Sequence, residues 1–294
     1  MKWIACSILT AFCVWGILFC LPPNRALAAD LQPVMDVPYR EKMRNERTTL
    51  DVYPGPTANA PVVVWVHGGA WEIGSKTPGA REKADFLFKQ GWGMVSINYR
   101  MHPEVKWSEM ASDVAHAIAW VVNANRPEIK SPASIVLMGH SAGAHLAALV
   151  ATDPRYLKAA DVQLNLLSGV ILLDGAGYDI PEQIRIARLP RMKEMYEKIF
   201  SADEATQKEA SPTLAVQKGI GIPPFLILYV ASRADSRQQA MKLQEALKRA
   251  DVSAAVEGLS GKNHATINRE LPIEGDSGGV LVRKFLSELS PSKN

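Results

Sequence analysis

An apolar strand that runs straight into a serine and leaves it as a helix is the strongest constraint on this 294-residue chain. The stretch reads Ile135-Val136-Leu137-Met138-Gly139-His140-Ser141-Ala142-Gly143-Ala144-His145-Leu146. A Gly-x-Ser-x-Gly turn needs its glycines because it brings neighbouring backbones close. The turn also holds the serine in a strained conformation, hydroxyl raised above the sheet. The competing reading is a tight turn with an inert serine. The β-branched run before the turn and the alanine-rich run after it supply the strand and helix that a nucleophile needs.

Around this elbow the chain alternates. Thr48 to Tyr53 reads as an early strand, and Pro61 to Val66 as a continuous apolar strand buried on both faces. Gly79 to Gln90 predicts a helix, Trp92 to Tyr99 a strand, and Ser108 to Asn125 a helix with Met110, Val114, Ile118 and Val121 at helical spacing. After the elbow and the helix Ala142 to Thr152 come a strand at Gly169 to Leu173, another at Pro224 to Val230, a helix Arg237 to Ala250, a strand Val252 to Glu257 and a closing helix Gly279 to Leu289. The alternation predicts an α/β fold: one mostly parallel central sheet of about eight strands with helices on both faces. Between about 181 and 221 it breaks. There Met192, Met195, Tyr196 and Ile199 mark an amphipathic helix, and Ser201-Ala202-Asp203-Glu204 reads as a capping box opening a second. This segment is expected to be a helical cap insertion over the site, or else an ordinary pair of peripheral helices.

A serine hydroxyl is a poor nucleophile near neutral pH and needs a base that a carboxylate holds in the right tautomer. Of the six histidines, His140 is adjacent to Ser141 and is expected to point away from it. His145 is expected to pack against neighbouring strands, His116 sits within a helix, His67 belongs to a glycine loop and His102 to the loop after a strand. His264 lies in the turn-rich Gly261-Lys262-Asn263-His264-Ala265-Thr266, after the last predicted strand, and is the candidate base. For the acid, Asp235 follows the strand ending at Val230 and fits the chain order serine, aspartate, histidine; Asp174, after the preceding strand, is its rival. The oxyanion formed on acyl transfer needs backbone N–H donors. Ala142, next to the serine, offers one, and Gly69 and Ala70 in His67-Gly68-Gly69-Ala70 offer the others. No Cys/His cluster or His-Glu-x-x-His spacing is present, so no metal is expected.

The first residues are a separate object. Met1-Lys2 is positive, Trp3 to Leu21 is almost wholly apolar, and Ala26-Leu27-Ala28 offers small residues for cleavage. Residues 1–28 are therefore expected to be a secretory signal peptide, with 29–294 as one domain that is exported, periplasmic or secreted. An uncleaved anchor is the alternative, since the apolar run is just long enough to span a bilayer; a lipoprotein is disfavoured by Phe19 before Cys20. Cys6, Cys13 and Cys20 all lie in this segment, so the exported domain is expected to rely on its core and not on disulfides. The net charge of +3 carries no basic block of the kind that tracks phosphates, which argues against nucleic acid as a partner.

In combination, His67-Gly68-Gly69-Ala70-Trp71, Tyr99-Arg100, Gly139-His140-Ser141-Ala142-Gly143, Asp235 and His264 resemble the α/β-hydrolase superfamily, specifically the branch related to hormone-sensitive lipase and to bacterial esterases and arylformamidases. The resemblance runs from about Leu50 to Leu286. It implies a serine carboxylic-ester hydrolase with a Ser-Asp-His triad, a helical cap and no cofactor, whose partner is a small-molecule ester; if the leader is cleaved, no stable membrane association is expected. The chain departs from that pattern at Ala70, where a third glycine is common, and at Asn263, where an aspartate often precedes the histidine. Hydrolysis of an N-formyl or other activated amide by the same residues is the second expectation, and a non-catalytic binding protein on the same fold the third.

Overall fold

The computed structural model describes residues 32–43 and 45–289; the expected signal segment lies outside them. Eight strands form the central sheet: β1 (Val34–Pro38), β2 (Thr49–Tyr53), β3 (Val62–Val66), β4 (Gly93–Ile97), β5 (Ile135–His140), β6 (Leu167–Leu173), β7 (Phe225–Val230) and β8 (Ala254–Leu259). Their spatial order is β1-β2-β4-β3-β5-β6-β7-β8. β2 runs antiparallel to both β1 and β4, and every other pairing is parallel. This is the expected mostly parallel sheet. All five residues of β3 are buried, as a run of valines and tryptophan in the middle of a two-sided sheet requires.

The helices are α1 (Ala80–Phe88), α2 (Trp107–Val122), α3 (Ala142–Thr152), α4 (Pro154–Ala159), α5 (Ile180–Ile186), α6 (Pro190–Phe200), α7 (Glu204–Glu209), α8 (Pro212–Ala215), α9 (Ala234–Arg249), α10 (Thr266–Arg269) and α11 (Ser277–Leu289). One apolar layer joins the sheet to α2, α3 and α9; the other joins it to α1 and α11. Every residue of α3 is buried, so its alanines are what let it lie close to the sheet.

Four helices, α5 to α8, stand between β6 and β7. The capping box read at Ser201 does not form. Asp203 is the N-cap of α7, its carboxylate accepting the Thr206 amide at 2.8 Å, while Ser201 sits in a left-handed turn with φ 70°. Among the boundaries that differ from the sequence reading, β8 begins two residues later, at Ala254, and α9 three residues earlier, at Ala234.

Register places the chemistry along one edge of the sheet. Val66 pairs with Gly139, Gly139 with Leu172, Leu173 with Leu228, and Leu259 with Val230. The loops leaving β3, β5, β6, β7 and β8 thus emerge side by side at the carboxyl ends of the strands, where open α/β sheets place ligands.

Candidate active site

Ser141 follows β5 as the N-cap of α3 with φ 56° and ψ −120°, a strained conformation for a residue with a side chain. Its amide donates to Leu173 O at 3.0 Å, and its carbonyl accepts the amides of Ala144 and His145 at 3.0 and 3.2 Å, so the turn is pinned on both sides. Gly143 makes the close approach possible: a Cβ there would lie 2.2 Å from Val66 O and 2.4 Å from His67 O. The end of β3 is packed directly on the first turn of α3.

The loop after β3 continues against the elbow. A Cβ on Gly68 would stand 3.1 Å from Ser141 Cβ. Gly69, Ala70 and Trp71 then follow with φ of 129°, 52° and 62°. Gly69 O accepts the amides of Glu72 and Ile73, both at 3.0 Å, which closes the turn. Among the described residues no backbone carbonyl takes the amide of Gly69 or Ala70. Ala142 opens α3, so its amide has no acceptor within the helix. These three residues, expected from the sequence as oxyanion donors, thus lie on two segments in direct contact around Ser141.

His264 is presented by a turn that Asn263 builds. Asn263 Oδ1 accepts the amides of Ala265 and Thr266, each at 2.9 Å, and its own amide donates to Thr266 Oγ1 at 2.8 Å. The asparagine thus orders the turn that leads into α10. His264 Nε2 lies 2.9 Å from Ser141 Oγ.

His140, expected to point away from Ser141, has its ring against that of His264. Its Nε2–H donates to His264 O at 2.7 Å and the two rings are 4.7 Å apart. Burial, with the neighbouring His264, pushes the His140 imidazole down to about 4, which keeps it neutral. Sequence adjacency to Ser141 could not reveal this bridge.

The carboxylate on His264 is Asp174, and the assignment of Asp235 is corrected here. Asp174 Oδ2 lies 2.6 Å from His264 Nδ1. Such a separation between a carboxylate oxygen and a ring nitrogen requires a proton on Nδ1, which leaves Nε2 free to accept from Ser141. Asp174 follows β6 directly, with φ 43°; its amide donates to Leu228 O at 2.7 Å, and its side chain is fully buried. Its Oδ1 accepts the Val230 amide at 3.0 Å and Ser236 Oγ–H at 2.7 Å. Burial alone would raise this carboxyl, but the bond from His264, the charge of Arg233 and the donors on Oδ1 outweigh it and hold it well below the usual carboxylate range.

Asp235 fails for a local reason. Because α9 begins at Ala234, Asp235 belongs to the helix's first turn and not to a loop, and its Oδ2 accepts Arg233 Nη2–H at 3.0 Å. Arg233, which no sequence signal singled out, also donates through Nη1 to Asp174 Oδ2. The same Nη1 lies 2.8 Å from His264 Nδ1, whose proton is already directed at Asp174. A cation thus stands against both the Asp174 carboxylate and the His264 ring.

The remaining histidines are elsewhere. His67 is buried with its ring stacked on Tyr99 at 4.4 Å, His116 bonds within α2 to Ser112 O, and His145 is wholly buried. A cleft of about 540 Å³ opens beside Arg233, walled by Ile186, Leu189 and Met192 from the inserted helices and by Asp235 and Gln238 from α9.

Comparison with known proteins supplies the context. The BD-FAE family model matches residues 50–165. The chain is 31% identical over 206 residues to the probable carboxylic ester hydrolase LipM of Mycobacterium tuberculosis, covering 66% of this chain and 46% of that protein. It likewise spans less than half the length of two further esterases of that organism. A kynurenine formamidase of Danio rerio is 27% identical over 277 residues, 89% of this chain and 83% of that protein. Among solved structures, a truncated carbohydrate esterase from gut microbiota superposes with a TM-score of 0.72 at 20% identity, covering 88% of this chain and 96% of that one. The eight-stranded sheet, the elbow on β5, the glycine loop on β3 and this likeness agree on one architecture, and the chain has the α/β-hydrolase fold.

Proposed function

We propose that this chain is a serine hydrolase that cleaves small or short-acyl carboxylic esters through an acyl-enzyme intermediate. The observation that carries the reading is the unbroken relay from Ser141 Oγ to His264 Nε2 at 2.9 Å and from His264 Nδ1 to Asp174 Oδ2 at 2.6 Å. As Oγ attacks the ester carbonyl carbon, its proton passes to Nε2 and the imidazolium is stabilised by Asp174. The carbonyl oxygen gains negative charge and is met by the amides of Gly69, Ala70 and Ala142. The proton then moves from Nε2 to the leaving alkoxide as the C–O bond breaks. Water, deprotonated by the same nitrogen, attacks the acyl-enzyme and releases the acid, restoring Ser141.

The cleft beside Arg233, with its Ile186, Leu189 and Met192 wall, is where one substituent of the ester would be received. A fluorophosphonate should add its mass to Ser141 in the wild type and leave Ser141→Ala unmodified. Turnover of aryl esters of increasing acyl length should fall as the chain grows. A wild type that takes no label and turns over no ester would overturn the reading.

Hydrolysis of an N-formyl amide is the second reading, favoured by the formamidase relative that aligns over most of both chains. Matched aryl ester and formanilide substrates of one leaving group separate the two: the preferred substrate has the larger kcat/KM.

A further inference from the structure

Behind the oxyanion loop lies a buried polar connection that the triad does not use. Trp71 is nearly inaccessible and His145 entirely so. Trp71 Nε1–H donates to His145 Nδ1 at 3.3 Å, and His145 Nε2 lies 2.8 Å from Ala210 O. An indole nitrogen can only donate, so Nδ1 must be the bare nitrogen and Nε2–H the donor to the carbonyl. Both ring nitrogens are satisfied by one neutral tautomer, and burial pushes this imidazole down to about 4, so it stays neutral at ordinary pH.

The three groups so joined belong to three different parts of the site. Trp71 ends the run of left-handed residues that begins at Gly69, and Ala70 and Trp71 both hold a positive φ without being glycine. Such a conformation costs of order 1–3 kcal/mol per residue and persists only where surroundings impose it. His145 lies on α3, and its amide bonds to Ser141 O. Ala210 closes the α7 segment of the inserted helices. Aromatic contacts complete the enclosure: Trp71 meets Phe200 at 4.9 Å and Tyr196 at 5.8 Å, and His145 meets Phe200 at 5.1 Å. The next residue, Glu72, pairs with Lys198 of the same α6 helix.

We propose that His145 is a positioning residue: by accepting the Trp71 indole N–H it fixes the strained Gly69-Ala70-Trp71 turn relative to Ser141, and by donating to Ala210 it ties that turn to the inserted helices. The proposal rests on the serine-hydrolase reading, in which the amides of Gly69 and Ala70 meet the oxyanion. Loss of the bond then moves those donors and slows the chemical step, while neither Trp71 nor His145 lines the cleft beside Arg233.

The test is a double-mutant cycle on the full chain with Trp71→Phe and His145→Phe, each keeping an aromatic ring and removing one partner of the bond. Deleting an oxyanion donor outright costs about 10²–10³ in kcat, so a displaced donor should cost about 10- to 100-fold. KM should change by less than about threefold. If the two residues act through one bond, the double variant is no slower than the slower single one. His145→Gln, which keeps an acceptor and a donor, should recover part of the loss. Trp71→Phe decides the matter alone should His145→Phe fail to fold. An unchanged kcat in Trp71→Phe, a change confined to KM, or effects that multiply would each overturn the proposal. A wild type inert to fluorophosphonate would instead remove the reading beneath it.

Discussion

Asp174 Oδ2 approaches His264 Nδ1 to 2.6 Å across the end of β7, whereas the carboxylate of Asp235 is directed at Arg233. Only the first can fix the imidazole tautomer. Asp174→Asn is therefore expected to lower kcat by about 10⁴, the loss that the equivalent change causes in serine proteases. Asp235→Asn removes a partly exposed pair worth at most about 1 kcal/mol and should leave kcat within about fivefold. Steady-state kinetics on one aryl ester ranks the two; the reverse order would return the acid's role to Asp235.

Arg233 touches both Asp174 and His264, and on the proposed mechanism its two effects have opposite signs. Its bond to the buried Asp174 is charge-assisted, so Arg233→Gln should lower the free energy of unfolding by about 2 kcal/mol. Its positive charge, 2.8 Å from the nitrogen that carries part of the imidazolium charge in the transition state, opposes catalysis. Asp174 keeps two other donors, from Val230 and Ser236, and so keeps its place. The variant should be less stable and several-fold faster. Urea denaturation and kcat measured on the same preparation check this, and a slower enzyme would show that Arg233 chiefly orders the acid.

The central strands and the elbow were legible because burial on both faces leaves a continuous apolar run, as in β3, and because Gly143 has no alternative under Val66 and His67. The pairing of Ser141 with His264 could be expected from their strand-to-turn placement. The choice between Asp174 and Asp235 could not, since both follow strands; it rests on whether α9 starts at Ala234 or Arg237. Arg233, just before that boundary, bonds across the sheet edge to Asp174, a tertiary contact that local sequence does not show. β1 was invisible for a different reason. Met35 and Asp36 are exposed, and Asp36 has φ 57°, which breaks the alternation an edge strand usually shows. The roles of His140 and His145 were hidden too, since their partners lie 124 and 65 residues away at His264 and Ala210.

Gly143 supports a prediction about folding rather than rate. The atoms its missing Cβ would strike are carbonyl oxygens at the end of a central strand, 2.2 and 2.4 Å away, and neither can rotate aside. Gly143→Ala should destabilise the protein by at least about 3 kcal/mol, near the upper end for overpacking. Chemical denaturation, or loss of soluble protein, would register it. A variant within about 1 kcal/mol of wild type would mean that α3 can slide on β3 without cost.

The buried histidines make a prediction about acid. Burial holds His67 and His145 at about 4 in the folded chain, below the ordinary value of 6.5. Between those values the unfolded chain binds protons that the folded one refuses, so stability falls as pH falls from about 6.5 towards 4. A displacement of this size is worth about 3 kcal/mol for each ring. Below that range the loss continues through Asp174, whose depressed carboxyl contributes stability that is full above the ordinary carboxylate value and is lost as pH drops through its own. The measurable consequence is a difference of slopes. Between pH 7 and pH 4.5 wild type should lose about 2–3 kcal/mol more unfolding free energy than His145→Gln, which has no proton to gain there. The same urea titrations at the two pH values give both numbers, and equal losses in the two proteins would mean that His145 is protonated in the fold, in conflict with its bond from Trp71.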